Sequence, residues 1–249
     1  MERKLDLSSA FERARELFMD NLQLLLAVAG VFFVIPQLIF GFMTGNGKEF
    51  DALLERATTF EDFTAAFSGF YQQNALWFVV LGIVTFVGTL TILVILLDKT
   101  RPTVGQAIGI AFSLLLFYFI LSILTGLATL LGLMLLILPG LYFAIKFCLA
   151  PPIMVAEKVT NPIEAMKASW NLTKGNSIMI FVYLLIIGIV LFVVSLLVEG
   201  IAGLLGETIG LVISALFGGV ITAFNTAVTV GLYQELRGPM TEDLTDTFG

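Results

Sequence analysis

Six long stretches of this chain carry almost no charge, and that feature leaves few structures open to it. A run of about 20 apolar residues matches the thickness of a bilayer's hydrocarbon core. Inside hydrocarbon the backbone must satisfy its own hydrogen bonds, so such a segment is a helix or part of a closed barrel. These runs are continuously apolar and do not alternate, which selects the helix. They fall near residues 21–43, 75–97, 108–130, 132–156, 177–198 and 208–234. The expected fold is all-α, a polytopic transmembrane bundle of six spans forming a single membrane domain over 1–249. The third and fourth runs are nearly continuous. Their combined length, with Gly126 and Gly132, places a tight helical hairpin turn at Thr125–Gly132.

Orientation follows from the basic residues, which are retained on the cytoplasmic side. With the amino terminus inside, the inner segments hold Arg3, Lys4, Arg13, Arg15, Lys99, Arg101, Lys158, Lys167, Lys174 and Arg237. The outer loops hold Lys48 and Arg56. Both termini are therefore expected in the cytoplasm, with 236–249 as a cytoplasmic tail. The charged stretch Met1 to Asp20 and the long apolar run after it are unlike a secretory signal.

Charged residues make up 13% of the chain, too few to give each helix of a water-soluble protein a solvated face. A net charge of −6 argues against nucleic acid as a partner. Histidine is absent, which removes the commonest general acid/base and metal ligand. No cofactor, metal site or catalytic group is expected. The lone cysteine, Cys148, reads as a packing residue.

Three inner segments share a capping-box spacing: Ser9 with Glu12, Thr103 with Gln106, and Asn161 with Glu164. They read either as a threefold repeat of an interfacial helix and two spans, or as three unrelated helix starts. The first, within 1–20, sets Leu7, Phe11, Ala14 and Phe18 against Glu12, Arg13, Glu16 and Asp20. The third, at 161–175, sets Ile163, Met166, Trp170 and Thr173 against Glu164, Lys167, Asn171 and Lys174. Both patterns suit amphipathic helices in the headgroup region. The outer segment 45–74 has a helix start at Thr59 with Asp62, then Phe60, Phe63, Phe67 and Phe70 at helical spacing. Such a segment folds onto the outer leaflet or offers a partner surface.

Within the spans, Lys146 is the most unusual residue, because an ionisable group there is costly and often functional. Its stem can snorkel to the headgroups and an anionic lipid phosphate; the alternatives are a buried pair with Glu157 or an interior polar site. Pro139 with Gly140, and Pro151 with Pro152, are expected to kink or break the fourth span. In the sixth, Gly210, Ser214, Gly218, Thr222 and Thr226 form a small-residue stripe for close helix packing. The stripe serves packing within the chain, a homo-oligomer contact or the lining of a polar path.

From Leu138 to Gly175 the chain reads Leu138-Pro139-Gly140, Lys146, Pro152, Glu157, Ala165, Ser169-Trp170, Leu172-Thr173 and Gly175. This order resembles the glycerophosphodiester phosphodiesterase membrane-domain family and the related YciC-like bacterial inner-membrane proteins. The resemblance implies a protein of the bacterial cytoplasmic membrane and marks Pro139, Gly140, Lys146, Pro152, Glu157, Lys167, Ser169, Trp170, Lys174 and Gly175 as family-motif, lipid or partner contacts. It does not carry phosphodiesterase chemistry across, because there is neither histidine nor a stretch long enough for a catalytic barrel. The expected role is a non-enzymatic scaffold, accessory subunit or lipid-contacting element. Its partners would be the bilayer and a membrane protein or a second copy of itself. The alternative is a small transporter or lipid translocator using the fourth span and Lys146.

Overall fold

The computed structural model describes residues 4–45 and 48–238; Arg3 and the tail 239–249 lie outside them. Among the described residues every regular element is helical. In chain order these are α1 (Leu7–Asp20), α2 (Leu22–Ala29), a π-helical turn (Gly30–Val34), α3 (Ile35–Met43), α4 (Lys48–Arg56) and α5 (Phe60–Gln73). They continue as α6 (Ala75–Leu97), α7 (Val104–Leu135), α8 (Ile137–Phe147), α9 (Ala150–Ala156), α10 (Pro162–Leu172), α11 (Ser177–Leu204) and α12 (Glu207–Arg237).

Six stretches are long and apolar enough to cross a membrane: Leu22–Met43, Ala75–Leu97, Val104–Leu135, Ile137–Ala156, Ser177–Leu204 and Glu207–Arg237. Met134, Ile178 and Leu204 are each more than three-quarters exposed, at 77%, 77% and 87%. In water that much bare apolar surface would drive aggregation; against lipid tails it costs nothing. The protein is an all-α, multi-pass membrane bundle.

α12 is the axis of the bundle, and its packing is a matter of small residues. Ala215, Gly219, Ala223, Ala227 and Gly231 are buried and recur every four positions. A Cβ on Gly219 would stand 2.7 Å from Val34 Cγ2, and one on Gly231 would stand 2.7 Å from the Ala14 backbone nitrogen. Only glycine permits approaches this close. α1, α2 and α3 therefore run as one path beside α12, from Ala14 at Gly231, through Phe18 packed edge-on against Phe224 (5.4 Å), to Gly41 at Leu211. The π-helical turn sits within this path just before Pro36, whose missing donor and bulky ring a wider turn accommodates.

The amphipathic reading of α1 needs a correction. Its buried face is Ala10 and Ala14, which meet α12, while Phe11 is 44% exposed. Its cap is Asp6 and not Ser9: the Asp6 carboxylate accepts from the Ser8 amide (3.1 Å) and from Ser9 Oγ (2.8 Å). These bonds hold the Asp6 carboxyl below the usual range. Ser9 is occupied as a donor to the true cap. At Thr103 and Gln106, by contrast, both halves of the capping box are present. Asn161 caps α10 through the Ile163 amide (3.0 Å), and its own amide reaches Glu164 (3.3 Å).

The turn between the third and fourth spans also departs from expectation. α7 continues through Gly126 and Gly132 and stops only at Leu135, and the single extended residue Leu136 starts α8. Gly126 faces open space, so nothing there asks the helix to end. The break is fixed instead by Pro139, which sits in the first turn of α8, where its missing donor is harmless. Gly132 then lies against Gly140: a Cβ on Gly132 would be 2.7 Å from Gly140 Cα. The fourth span breaks again at Cys148 and Leu149, with Pro151 and Pro152 in the first turn of α9.

Polar contacts fasten both ends of the bundle. At the basic end, Arg13 pairs with the buried Glu235 (2.7 Å), Arg237 pairs with Glu157, and the Leu5 amide donates to Asn176 Oδ1 (2.9 Å). At the opposite end, Lys48 pairs with Glu207 (2.7 Å), and the rings of Phe50, Phe70, Tyr71 and Phe78 cluster where α4, α5 and α6 meet. Thr59 and Asp62 form a complete capping box at the start of α5.

The loop after α6 is organised by Asp98, whose carboxylate accepts from the Thr100 amide (2.9 Å) and hydroxyl (2.8 Å). These bonds, the amide's first, hold the Asp98 carboxyl below its ordinary value of 3.8. A carboxyl depressed on folding contributes stability above its unfolded pKa and loses it as pH falls through the folded one. The stability gap between wild type and Asp98→Asn is expected to be full at neutral pH and to close below the ordinary aspartate value. Denaturation midpoints across an acid series measure this; a gap that widens in acid would refute it.

Candidate functional site

The sequence places an ammonium in the fourth span, and the structure shows what surrounds it. Lys146 lies near the end of α8 and is only 3% exposed. Its Nζ stands over the ring of Trp170 at 5.2 Å and that of Tyr142 at 5.5 Å. Tyr142 is one helical turn before Lys146, so its ring shares the same face. Trp170 is supplied by α10, and Phe147 packs beside it (5.7 Å). The ammonium does not reach Glu157, which instead takes Arg237 and accepts from the Tyr233 hydroxyl (3.3 Å).

α10 is locked over this site by small polar residues. Ser169 Oγ donates to the Lys146 carbonyl at 2.7 Å, and Thr173 Oγ1 donates back to the Ser169 carbonyl at 2.9 Å. Both side chains are fully buried, with Ala165 on the same face. The helix ends there, and Gly175 adopts φ +77°, a left-handed conformation that glycine holds at least cost. The buried face of α10 is thus Ala165, Ser169 and Thr173; of the face read from sequence, Ile163, Met166, Trp170 and Thr173, only Thr173 is on it, and Ile163 is 55% exposed.

Two further cations flank the cage. Lys174 lies in the turn that follows α10. Lys167 lines a shallow hollow of about 430 Å³ with Leu124, Phe147, Met166 and Trp170. Among the described residues none of these three lysines forms an ion pair. Each ring face provides about 2 kcal/mol or more once desolvated, set against the several kcal/mol that burying an ammonium costs.

The remaining motif residues serve other joints. Pro139 and Gly140 lie at the far end of α8, about 9 Å along the helix from Lys146; they shape the hairpin turn. Pro152 opens α9, and Glu157 clamps the end of α12. The stripe on α12 is also dispersed. Gly210 meets the Ala202 carbonyl of α11, Gly218 faces Gln37 of α3, and Ser214 is half-buried. Thr222 and Thr226 donate to the carbonyls of Gly218 and Thr222 within their own helix. The most deeply packed row is the adjacent one, through Ala215 and Gly219. Sequence reading missed Tyr142 and this neighbouring row; the four-residue spacing to Lys146 was the available signal for the first. Among the described residues no group of three or more metal-ligating side chains comes together.

No solved structure matches this chain. An 89-residue stretch is 38% identical to a UPF0259 membrane protein of Pectobacterium carotovorum subsp. carotovorum (strain PC1), covering 36% of this chain and 35% of that protein. The match thus spans about a third of the curated relative's length. A broader match covers residues 72–227, from the end of α5 into α12, and takes in the whole of the Lys146 site. On that extent the chain belongs to the family described as Uncharacterised protein family (UPF0259).

Proposed function

We propose that this protein is a non-enzymatic, lipid-contacting scaffold or accessory subunit of the bacterial cytoplasmic membrane, with both termini in the cytoplasm. In this reading Lys146 binds the phosphate of an anionic phospholipid in the inner leaflet. One observation carries it: a buried ammonium held by two rings, flanked by Lys167 and Lys174, with no carboxylate among its contacts. Orientation rests on the crowding of basic residues at one end of the bundle. The resemblance of Leu138–Gly175 to the glycerophosphodiester phosphodiesterase membrane domains is no part of the support: the matching family and the matching relative are both UPF0259.

The test uses the full chain in neutral detergent with phosphatidylglycerol or phosphatidylcholine added. The glycerol lipid is expected to raise the Tm of the wild type, and to do so much less for Lys146→Met. Equal response to the two lipids, or an unchanged response in Lys146→Met, would remove the reading.

The broken fourth span favours a second reading, a lipid translocator, because Cys148 and Leu149 interrupt the helix within two residues of Lys146. Scrambling of labelled lipid in reconstituted vesicles, abolished by Lys146→Met, is its signature. No flux above empty vesicles sinks it.

A further inference from the structure

A second charged site lies at the basic end, away from Lys146. Between α1, the end of α6 and the loop after it is a hollow of about 820 Å³. Glu16 and Asp20 of α1 line one part, and Lys99 and Arg101 of the loop line another; Leu24 and Ile95 supply apolar wall. The four charged groups share one cavity, yet none of them is paired with another of the four. The other charged groups there are already engaged: Arg13 holds Glu235, and Asp98 accepts from Thr100.

Glu16, Asp20, Lys99 and Arg101 are all exposed. Glu16 and Asp20 are one turn apart, and like charges at that spacing mildly destabilise a helix. Arg101 also adopts φ +47°, a left-handed conformation, directly before Pro102, where glycine would be less strained. Backbone strain of this kind clusters at ligand-binding sites, and Arg101 lines the hollow.

A lone anion would satisfy the cations but meet two carboxylates. A lone cation would meet the reverse. We infer that the hollow binds an amino-phosphate, with its phosphate against Lys99 and Arg101 and its ammonium against Glu16 and Asp20. The same chemistry is carried by the headgroup of an ethanolamine phospholipid and by free phosphoethanolamine. This site is independent of the Lys146 reading, which concerns an anionic lipid, and Lys146→Met should leave it intact.

The test titrates the full-length protein carrying Lys146→Met, which removes the anionic-lipid site proposed above, in detergent with dihexanoyl phosphatidylethanolamine, phosphatidylglycerol and phosphatidylcholine, and with phosphoethanolamine alone. The ethanolamine lipid is expected to bind about tenfold more tightly than the glycerol lipid. Lys99→Gln with Arg101→Gln should weaken it by about tenfold. Glu16→Gln with Asp20→Asn should erase the headgroup preference. Arg101→Gly should keep or raise the Tm while weakening binding, which separates a ligand contact from a folding defect. Free phosphoethanolamine binding within roughly threefold of the short-chain lipid supports the site and assigns a soluble ligand; binding confined to the lipid supports it and assigns the headgroup. Equal affinity for all three lipids, or a preference that survives loss of both carboxylates, overturns the proposal.

Discussion

Gly132→Val is expected to destabilise the protein by about 3 kcal/mol, near the upper end of the usual cost of overpacking. At this position a Cβ would lie 2.7 Å from Gly140 Cα and 2.8 Å from Gly140 N. Those neighbours are backbone, so no rotamer change can make room. The hairpin has one residue, Leu136, between its helices, and α8 cannot back away without losing its start. Gly126→Val is the control, since that glycine faces open space and its replacement should fall within about 0.5 kcal/mol of wild type. Denaturant midpoints of the two variants in the same detergent measure the difference. Similar midpoints would mean that the helices do not meet at Gly132 and Gly140.

The second large effect has the opposite sign. Lys146→Met, measured in lipid-free neutral detergent, is expected to stabilise the protein by about 1 kcal/mol or more, toward the 1–4 kcal/mol range seen when apolar side chains replace buried ion pairs. The substitution gives up two cation–π contacts, each worth about 2 kcal/mol or more when desolvated. It also removes the cost, several kcal/mol, of holding an ammonium away from water. Methionine retains most of the stem's packing beneath Trp170 and Tyr142. The same variant should be less responsive to phosphatidylglycerol, so stability and lipid response would move apart. A lower midpoint for Lys146→Met would show that the ammonium already has a partner within the protein.

What the sequence made legible follows from how strongly each feature is forced. The six apolar runs were plain because hydrocarbon allows the backbone no alternative to helix, and the cap at Thr103 was plain because its partners are local. Ser9 misled because Asp6, three residues earlier, competes for the same helix start. Gly126 and Gly132 suggested a break, yet Gly126 faces open space and asks nothing of a helix, and Gly132 serves the close approach to Gly140; the physical signal was Pro139, which needs a first-turn position. The stripe on α12 was read one row away from the deepest contacts, because both rows are small and only the neighbours distinguish them. At Lys146, sequence gave the charge in an apolar setting. Which residue covers it depends on α10 folding back over α8, and no local pattern encodes that.

The path formed by α1, α2 and α3 along α12 has a consequence for biogenesis. These three helices bury their small-residue faces on α12, which is made after every other described helix, so they must wait in the membrane while the helices between are synthesised. During that interval Ala10 and Ala14 lie bare, and the segment is open to chaperones, proteases and mispairing with other nascent chains. Closure of the bundle is thereby coupled to synthesis of α12: a product truncated before residue 207 would lack the surface on which α1 docks.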